Sequence, residues 1–377
     1  AHCDTITVMR DGYAISSKPT RETNMEQVVR DMVGRSITEY YPGRTNEPGE
    51  IVLEVKNFCQ EGLFNNISFK LRKGEILGVA GLMGAGRTEI MRALFGVDSC
   101  KHGEVSLHGK KVCIKKPEDA IKAGIGFITE NRKSEGLILD FSISRNIALP
   151  SVDTFAKRSV INAKNETAFS EALSKKLGVK TASIDLEAGA LSGGNQQKVV
   201  IAKWIGMNPS IIIMDEPTRG IDVGAKRDIY DLMNELTSQG VAIIMVSSEL
   251  PEVIGMSDRI LVLNHGALEQ AGAPIDIYTH PATRFVAEFV GQSNFIDDQR
   301  MFRPEFAEII DLEENSSSNH SLIFTARVEQ TEYIGGRWLI DVSVGDKHWR
   351  LAHSAPQTIG SQIHIAVNPA GIVTVGG

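Results

Sequence analysis

Gly81-Leu82-Met83-Gly84-Ala85-Gly86-Arg87-Thr88 decides the fold. It follows an apolar run, Ile76-Leu77-Gly78-Val79-Ala80, and precedes a stretch in which Ile90, Met91, Leu94 and Phe95 fall on one helical face before Gly96. Strand, glycine-rich loop, helix is the order a phosphate-binding loop needs. The glycines let backbone N–H groups converge on phosphate oxygens, and the helix N-terminus adds its partial positive charge. Gly81, Gly84, Ala85, Gly86, Arg87 and Thr88 are therefore the expected nucleotide-binding residues, with the Thr88 hydroxyl placed to ligate Mg²⁺. Arg87 stands where such a loop ordinarily carries Lys. A planar fork replaces a compact point charge, so the geometry around the β- and γ-phosphates must differ.

Two further signals lie downstream. Ile211-Ile212-Ile213-Met214-Asp215-Glu216 reads as a buried parallel strand ending in two carboxylates, and strand carboxyl ends are where such sheets place ligands. Asp215 is expected in the Mg²⁺ shell. Glu216 is expected to orient or deprotonate a water for in-line displacement at the γ-phosphate. Leu191-Ser192-Gly193-Gly194-Asn195-Gln196-Gln197-Lys198 leads into a helix through Trp204. Ser192 reads as its N-cap, and the paired glycines bare further N–H groups, a second anion site.

The rest of the chain sets the frame. Its 377 residues suggest two or three domains at roughly 150 residues each. With 42% hydrophobic and 23% charged residues it is neither disordered nor fibrous. Acidic residues outnumber basic ones, 47 to 40, no basic block stands out and aromatics are 6%, so no nucleic-acid partner is expected. Apolar runs such as Val241–Val246 are strand-sized, whereas a membrane span needs roughly 20 residues. Cys3, Cys59, Cys100 and Cys113 form no metal or disulfide pattern and read as reduced thiols. No signal peptide is recognisable. The start at Ala1, without Met and close to a strand, reads as a fragment or processed product.

An internal repeat organises the domains. Residues 3–12, Cys-Asp-Thr-Ile-Thr-Val-Met-Arg-Asp-Gly, parallel residues 257–266, Ser-Asp-Arg-Ile-Leu-Val-Leu-Asn-His-Gly. Residues 29–36 parallel residues 286–293 at nearly the same offset. This implies two copies of a domain of about 250 residues, of which residues 1–40 are the remnant of the first. Residues 41–50, with Pro42, Gly43, Pro48 and Gly49, read as a linker. Residues 51–292 form the complete α/β domain with a largely parallel sheet. Residues 293–377 read as a small all-β domain after a polar loop containing Ser316–Ser318, with strands expected at 322–328, 338–344 and 363–367. Trp338 and Trp349 are expected in its core, and His348, His353 and His364 on its surface.

The phosphate loop, Leu-Ser-Gly-Gly-Asn-Gln-Gln and the Asp-Glu pair, in this order, closely resemble an ABC transporter ATPase. Residues 1–265 resemble the second cassette of the tandem ATPases of bacterial ribose- and galactose-type importers, through Gly81–Thr88 with Arg87, Thr129-Glu130-Asn131-Arg132-Lys133-Ser134-Glu135-Gly136-Leu137, Asp215–Lys226 and Val246-Ser247-Ser248-Glu249. The resemblance implies a phosphate-loop NTPase cassette with a helical subdomain at roughly 140–190 that receives a permease. It makes Ser192, Gly193, Gly194 and Asn195 the signature motif and places Asp222 in the D-loop. It gives Glu130 the Q-loop position beside Mg²⁺, and Ser248 the position of a catalytic switch residue that is usually His. It also implies ATP and Mg²⁺ as cofactors, and as partners a second cassette (the missing first half or another copy), a transmembrane permease and, indirectly, a periplasmic solute-binding protein. The expected place is the cytoplasmic face of the bacterial inner membrane. Residues 270–291 and Arg303-Pro304-Glu305 instead resemble the maltose- and polyamine-type ATPases, with residues 293–377 as their TOBE domain, so the chain reads as a hybrid by fusion or assembly.

The implied function is ATP-driven uptake of a small solute, in the first place a simple sugar. Arg87, Glu130 and Ser248 depart from the general ABC pattern and motivate the alternative of a nucleotide-gated cassette that hardly hydrolyses. A soluble ABC ATPase of DNA repair or translation is a third reading, which the acidic charge disfavours.

Overall fold

The computed structural model describes residues 3–10, 13–23, 27, 28, 31, 41–44, 46–157, 160–310, 322–334 and 337–376. The chain divides into two compact units, Tyr41–Pro274 and Ala1–Tyr40 together with Ile275–Gly377.

The first unit is built on β1 (Ile51–Gln60), β2 (Phe64–Arg72), β3 (Ile76–Gly81), β4 (His102–Leu107), β5 (Lys110–Val112), β6 (Ile125–Ile128), β7 (Ile211–Asp215), β8 (Ala242–Val246), β9 (Arg259–Asn264) and β10 (Ala267–Gly272). A six-stranded sheet runs β10-β9-β3-β8-β7-β6. Five strands are mutually parallel and β10 is an antiparallel edge. Every residue of β3, β7 and β8 is buried, which is why these strands read as unbroken apolar runs: a parallel strand covered on both faces has no solvent side to alternate toward. A second sheet, β2-β1-β4-β5, is antiparallel throughout. The sequence reading has no counterpart for it.

The helices that matter for the site are α1 (Arg87–Phe95), α2 (Ile143–Ala148), α3 (Ala163–Lys176), α4 (Gly193–Ile205), α5 (Val223–Ser238) and α6 (Leu250–Met256). Helix α1 ends as its sequence dictates, at Gly96, whose φ of 81° is left-handed and lets its N–H reach back to the last turn. Helices α2 and α3, with the short helix Val152–Phe155, form the expected helical subdomain, which also carries the two-residue hairpin Ala156–Lys157/Val160–Ile161.

The segment 41–44 and Asn46 is bound into this unit. The Arg44 guanidinium donates to both carboxylate oxygens of Asp258, to Asn234 Oδ1 and Thr237 Oγ1, and to the Gly74 carbonyl. Asp258 in turn accepts the Ile76 N–H that opens β3. Beside it, Glu75 is fully buried, accepts the Arg72 N–H at 2.6 Å and pairs with Arg259 at 2.9 Å. Burial pushes its carboxyl above the ordinary range in spite of these partners.

The second unit contains a hairpin, Thr5–Arg10 against Tyr13–Pro19. The same local pattern, strand, turn and antiparallel strand, recurs in β9 and β10. Of residues 29–36 all but Asp31 lie outside the described residues, as do Ser316–Ser318. The C-terminal part is a five-stranded antiparallel sheet, β11 (Ala307–Ile310), β12 (Leu322–Ile334), β13 (Arg337–Val344), β14 (Lys347–His353) and β15 (Gln362–Val367), in the order β11-β15-β12-β13-β14. Strand β14 escapes the sequence reading because in Lys347-His348-Trp349-Arg350-Leu351 only Trp349 and Leu351 are buried. Trp349 is core, edge-on to Phe302 and Phe324 at 4.9 and 4.8 Å, and Trp338 packs partly buried against the same cluster. His348 is exposed beside Glu329, and His353 and His364 are partly exposed at the surface. All four cysteines are free thiols.

Arg44→Ala strips a largely buried carboxylate of its cation, so it should lower the unfolding free energy of the chain by about 3 kcal/mol in urea denaturation.

Candidate functional site

The strand-to-helix turn after β3 is sterically closed below and open above. A Cβ on Gly81 would lie 2.5 Å from the Leu263 carbonyl oxygen, so only glycine lets the strand end against β9. Gly86, at φ 88°, turns the chain into α1 in a conformation that L side chains rarely adopt. Between them Met83 is 98% exposed. No side chain caps α1, and the first N–H groups of a helix have no partner within it. The cradle thus presents N–H groups and a dipole end to solvent, with Arg87 and Thr88 on its first turn.

The carboxylates stand at the tip of β7, one strand removed from β3 across β8. Asp215 is 1% exposed and, among the described residues, neither of its oxygens has a hydrogen-bond partner of good geometry, the Thr88 hydroxyl being its polar neighbour. Burial pushes its pKa from 3.8 up to about 6. The neighbouring Thr88 hydroxyl and Arg87 pull it back, and the charges of Glu216 and Glu89 push it further up. Glu216 takes a left-handed φ of 49°, and its N–H donates to the Val246 carbonyl at 2.9 Å. The turn aims its half-buried carboxylate at Ser248, whose Oγ donates to Oε2 at 3.1 Å. Burial raises this carboxyl too, and Ser248 and Arg87 moderate the rise. Arg87 itself donates from Nη1 to the Ser247 carbonyl at 2.7 Å.

Thr88, Asp215 and Glu130 line one small cavity of about 70 Å³ with Phe127 and Asn131. Glu130 is ion-paired with Arg219. Two buried, unpartnered carboxylate oxygens beside a threonine hydroxyl suit a hard cation that takes few protein oxygens and keeps several waters. The residues present fit Mg²⁺.

The signature residues belong to a second group. Ser192 occupies the N-cap position of α4, but its side chain makes no capping bond, a correction to the sequence expectation. Its Oγ accepts instead from Asn195 Nδ2 at 3.0 Å, while Asn195 Oδ1 accepts the Lys180 N–H. Asp222 caps α5 by accepting the Ala225 N–H at 2.9 Å. Arg132 joins the two motifs: it donates to the Arg219 and Gly220 carbonyls, and a Cβ on Gly193 would lie 2.8 Å from its Nη2. Among the described residues, the contacts of Ser192–Asn195 run to these neighbours and not to the phosphate loop.

Sequence reasoning gave no separate role to Arg132, nor any to a wider cavity of about 490 Å³ lined by Cys59–Asn65, Lys101, His102 and His265. That cavity borders the loop, since Gly86 lies against Leu63 and Gly266. Its walls come from three segments remote in the chain, and no motif joins them.

Comparison with known proteins agrees with this geometry. Residues 64–219 match the ABC transporter family. The crystal structure of the ADP conformation of MJ1267, an ATP-binding cassette of an ABC transporter, superposes with a TM-score of 0.54 at 22% identity over 64% of this chain and 98% of that one. The dimeric post-hydrolysis state of the ATP-binding cassette MJ0796, bound to ADP and Pi, gives 0.51 at 22% identity over 59% and 98%. The chain thus contains an ABC transporter ATPase domain. It is similar to the ribose import ATP-binding protein RbsA of Bacillus licheniformis, 59% identical over 266 residues that cover 71% of this chain and 54% of that protein. The protein of the same name from Bacillus subtilis is 59% identical over 268 residues, with the same two coverages. The chain thus spans about half the length of the curated relatives it matches.

The Asp215 carboxyl is held protonated by folding up to about pH 6, against 3.8 in the open chain. Its contribution to stability is therefore full below pH 4 and is lost as pH rises through 6. Asp215→Asn should raise the unfolding free energy at pH 7.5 by about 2 kcal/mol, flatten its fall between pH 4 and 6, and weaken Mg²⁺-dependent nucleotide binding. Urea titrations across that range check it.

Proposed function

We propose that this chain binds MgATP at Gly81–Thr88 and hydrolyses it to drive uptake of a simple sugar through a separate permease. The observation that carries the reading is the approach of three segments: the uncapped start of α1, the buried Asp215, and Glu216 held by Ser248. The similarity to ribose import ATP-binding proteins supports the choice of a sugar.

The N–H groups of the loop and the first turn of α1 take the β- and γ-phosphate oxygens, and Arg87 adds charge. Thr88, Asp215 and Glu130 are the residues that would hold Mg²⁺, which would supply charge neutralisation at the phosphates. Glu216 accepts a proton from the attacking water, which it orients in line with the γ-phosphorus. Its raised pKa brings it closer to a base suited to neutral pH. Ser248 fixes the rotamer of Glu216 by donating to Oε2, leaving Oε1 for the water. The cavity bordering Gly86 is roomy enough for a nucleoside.

Ser192–Asn195 and Asp222 point to a role across an interface, because their helix starts stand apart from this chain's own phosphate loop. The signature of a second cassette would close over the ATP. The partner is another copy or a first cassette, of which residues 1–40 are read as the end. Residues 51–292 act as the motor and residues 293–377 as a TOBE-like regulatory domain. No helix among the described residues is long and apolar enough to cross a membrane, and attachment to the inner membrane's cytoplasmic face runs through the permease.

Glu216→Gln keeps the shape of the site and removes the base. In the importer assembled with its permease it should lower ATP turnover by about 100-fold or more while leaving the MgATP affinity within about threefold. Equal turnover in the two proteins would assign the cassette to the weakly hydrolysing alternative. In the chain alone, MgATP at 100 times its Kd should raise the unfolding free energy by about 2.7 kcal/mol.

A further inference from the structure

Phosphate binding by itself calls for a point charge at position 87, and the chain carries a fork. One arm of that fork is in use without any phosphate, since Arg87 Nη1 donates to the Ser247 carbonyl at 2.7 Å. Ser247 is buried and directly follows the central parallel strand β8. The next residues are also tied by side chains: Ser248 Oγ to Glu216 Oε2 at 3.1 Å, the Glu249 N–H to Ser247 Oγ at 3.0 Å, and the Glu249 carboxylate to Lys226. Residues 247–249 are therefore suspended between the first turn of α1, the Glu216 turn and helix α5.

A lysine ends in one nitrogen and would have to choose between this carbonyl and a phosphate. A guanidinium spreads five N–H donors over three nitrogens, so Nη2 and Nε stay available while Nη1 holds Ser247. Arg87 also lies close enough to Asp215 and Glu216 for its charge to act on both carboxylates. Building on the reading of Gly81–Thr88 as a nucleotide site, we propose that Arg87 grips the phosphates and the Ser247 carbonyl at the same time. Filling the loop is thereby relayed to residues 247–249 and, through Ser248, to the orientation of Glu216. Arg87 is on this view a positioning residue for Glu216 as well as a phosphate ligand, and the Arg at 87 and the Ser at 248 work as a set.

Amide hydrogen exchange of residues 246–250 tests the relay, in the wild-type chain and in Arg87→Lys, each with and without saturating MgATP. The wild type should exchange about tenfold more slowly with MgATP. Arg87→Lys should exchange about tenfold faster than wild type without nucleotide and, at MgATP raised to saturate the variant, gain no protection. Equal exchange in the two nucleotide-free proteins, or the same MgATP-induced slowing in Arg87→Lys, overturns the proposal. Ser248→Ala leaves the Arg87 bond intact and should keep the slowing at Ser247. Its loss there would place the link in the Ser248 hydroxyl and overturn the role of Arg87. A wild-type chain that binds no MgATP would sink the nucleotide reading instead, and the nucleotide-free comparison would still decide the tether.

Discussion

Two carboxylates brought to one strand tip, against a helix start of opposite polarity, are the constraint on which this molecule depends. Among the described residues Asp215 is buried with no well-formed hydrogen bond and Glu216 is half-buried with one, and burial raises both. Left alone such a tip would cost stability, since a buried charge is tolerated only with a counter-charge or with its proton. The counter-charges the chain supplies are Arg87 and the N–H groups of α1, and the Asp215 oxygens suit a cation besides. The site is therefore incompletely satisfied by its own chain. This is a physical reason for it to gain stability when a phosphate and a divalent cation arrive together.

The frame behind the tip is made from the same materials arranged to the opposite end. Arg44, Asp258, Asn234 and Thr237 form a network in which both carboxylate oxygens and both terminal guanidinium nitrogens are used, and it anchors the first residue of β3. Ion pairs of this kind do not necessarily add net stability, but removing one member leaves a charge stranded. Closed at the N-terminal end of β3 and open at its C-terminal end, the strand holds the phosphate loop on a rigid support.

Much of the site is legible in the amino-acid order. Gly81, Gly84, Gly86, Thr88, Asp215 and Glu216 belong to local patterns, strand then loop then helix and strand then acid, in which composition and function coincide over a few residues. Ser192 shows where local pattern stops short. Its backbone takes the N-cap position, but Asn195 competes for its oxygen, and which of two neighbouring polar groups wins depends on the Lys180 N–H that engages the other end of Asn195. The antiparallel sheet β2-β1-β4-β5 escapes such a reading because its strands look like generic alternation. Strand β14 escapes it because two buried residues in seven give too little periodicity.

Sequence alone suffices for the elements whose partners are near in the chain: the buried parallel strands, the glycine turns that only glycine can take, the stop of α1 at Gly96, and the chemical identity of the phosphate-loop and strand-tip residues. Which of these meet is a matter of tertiary structure. Ser247 and Arg87 stand 160 positions apart, Ser248 and Glu216 32 apart, and Arg132 and Gly220 88 apart. A hydrogen bond carries no signature in either partner's sequence neighbourhood, because a serine that holds a strand-tip carboxylate and a serine that faces water have the same composition around them. Only the pairing of parallel strands, with their carboxyl ends brought level, places these groups within bonding distance.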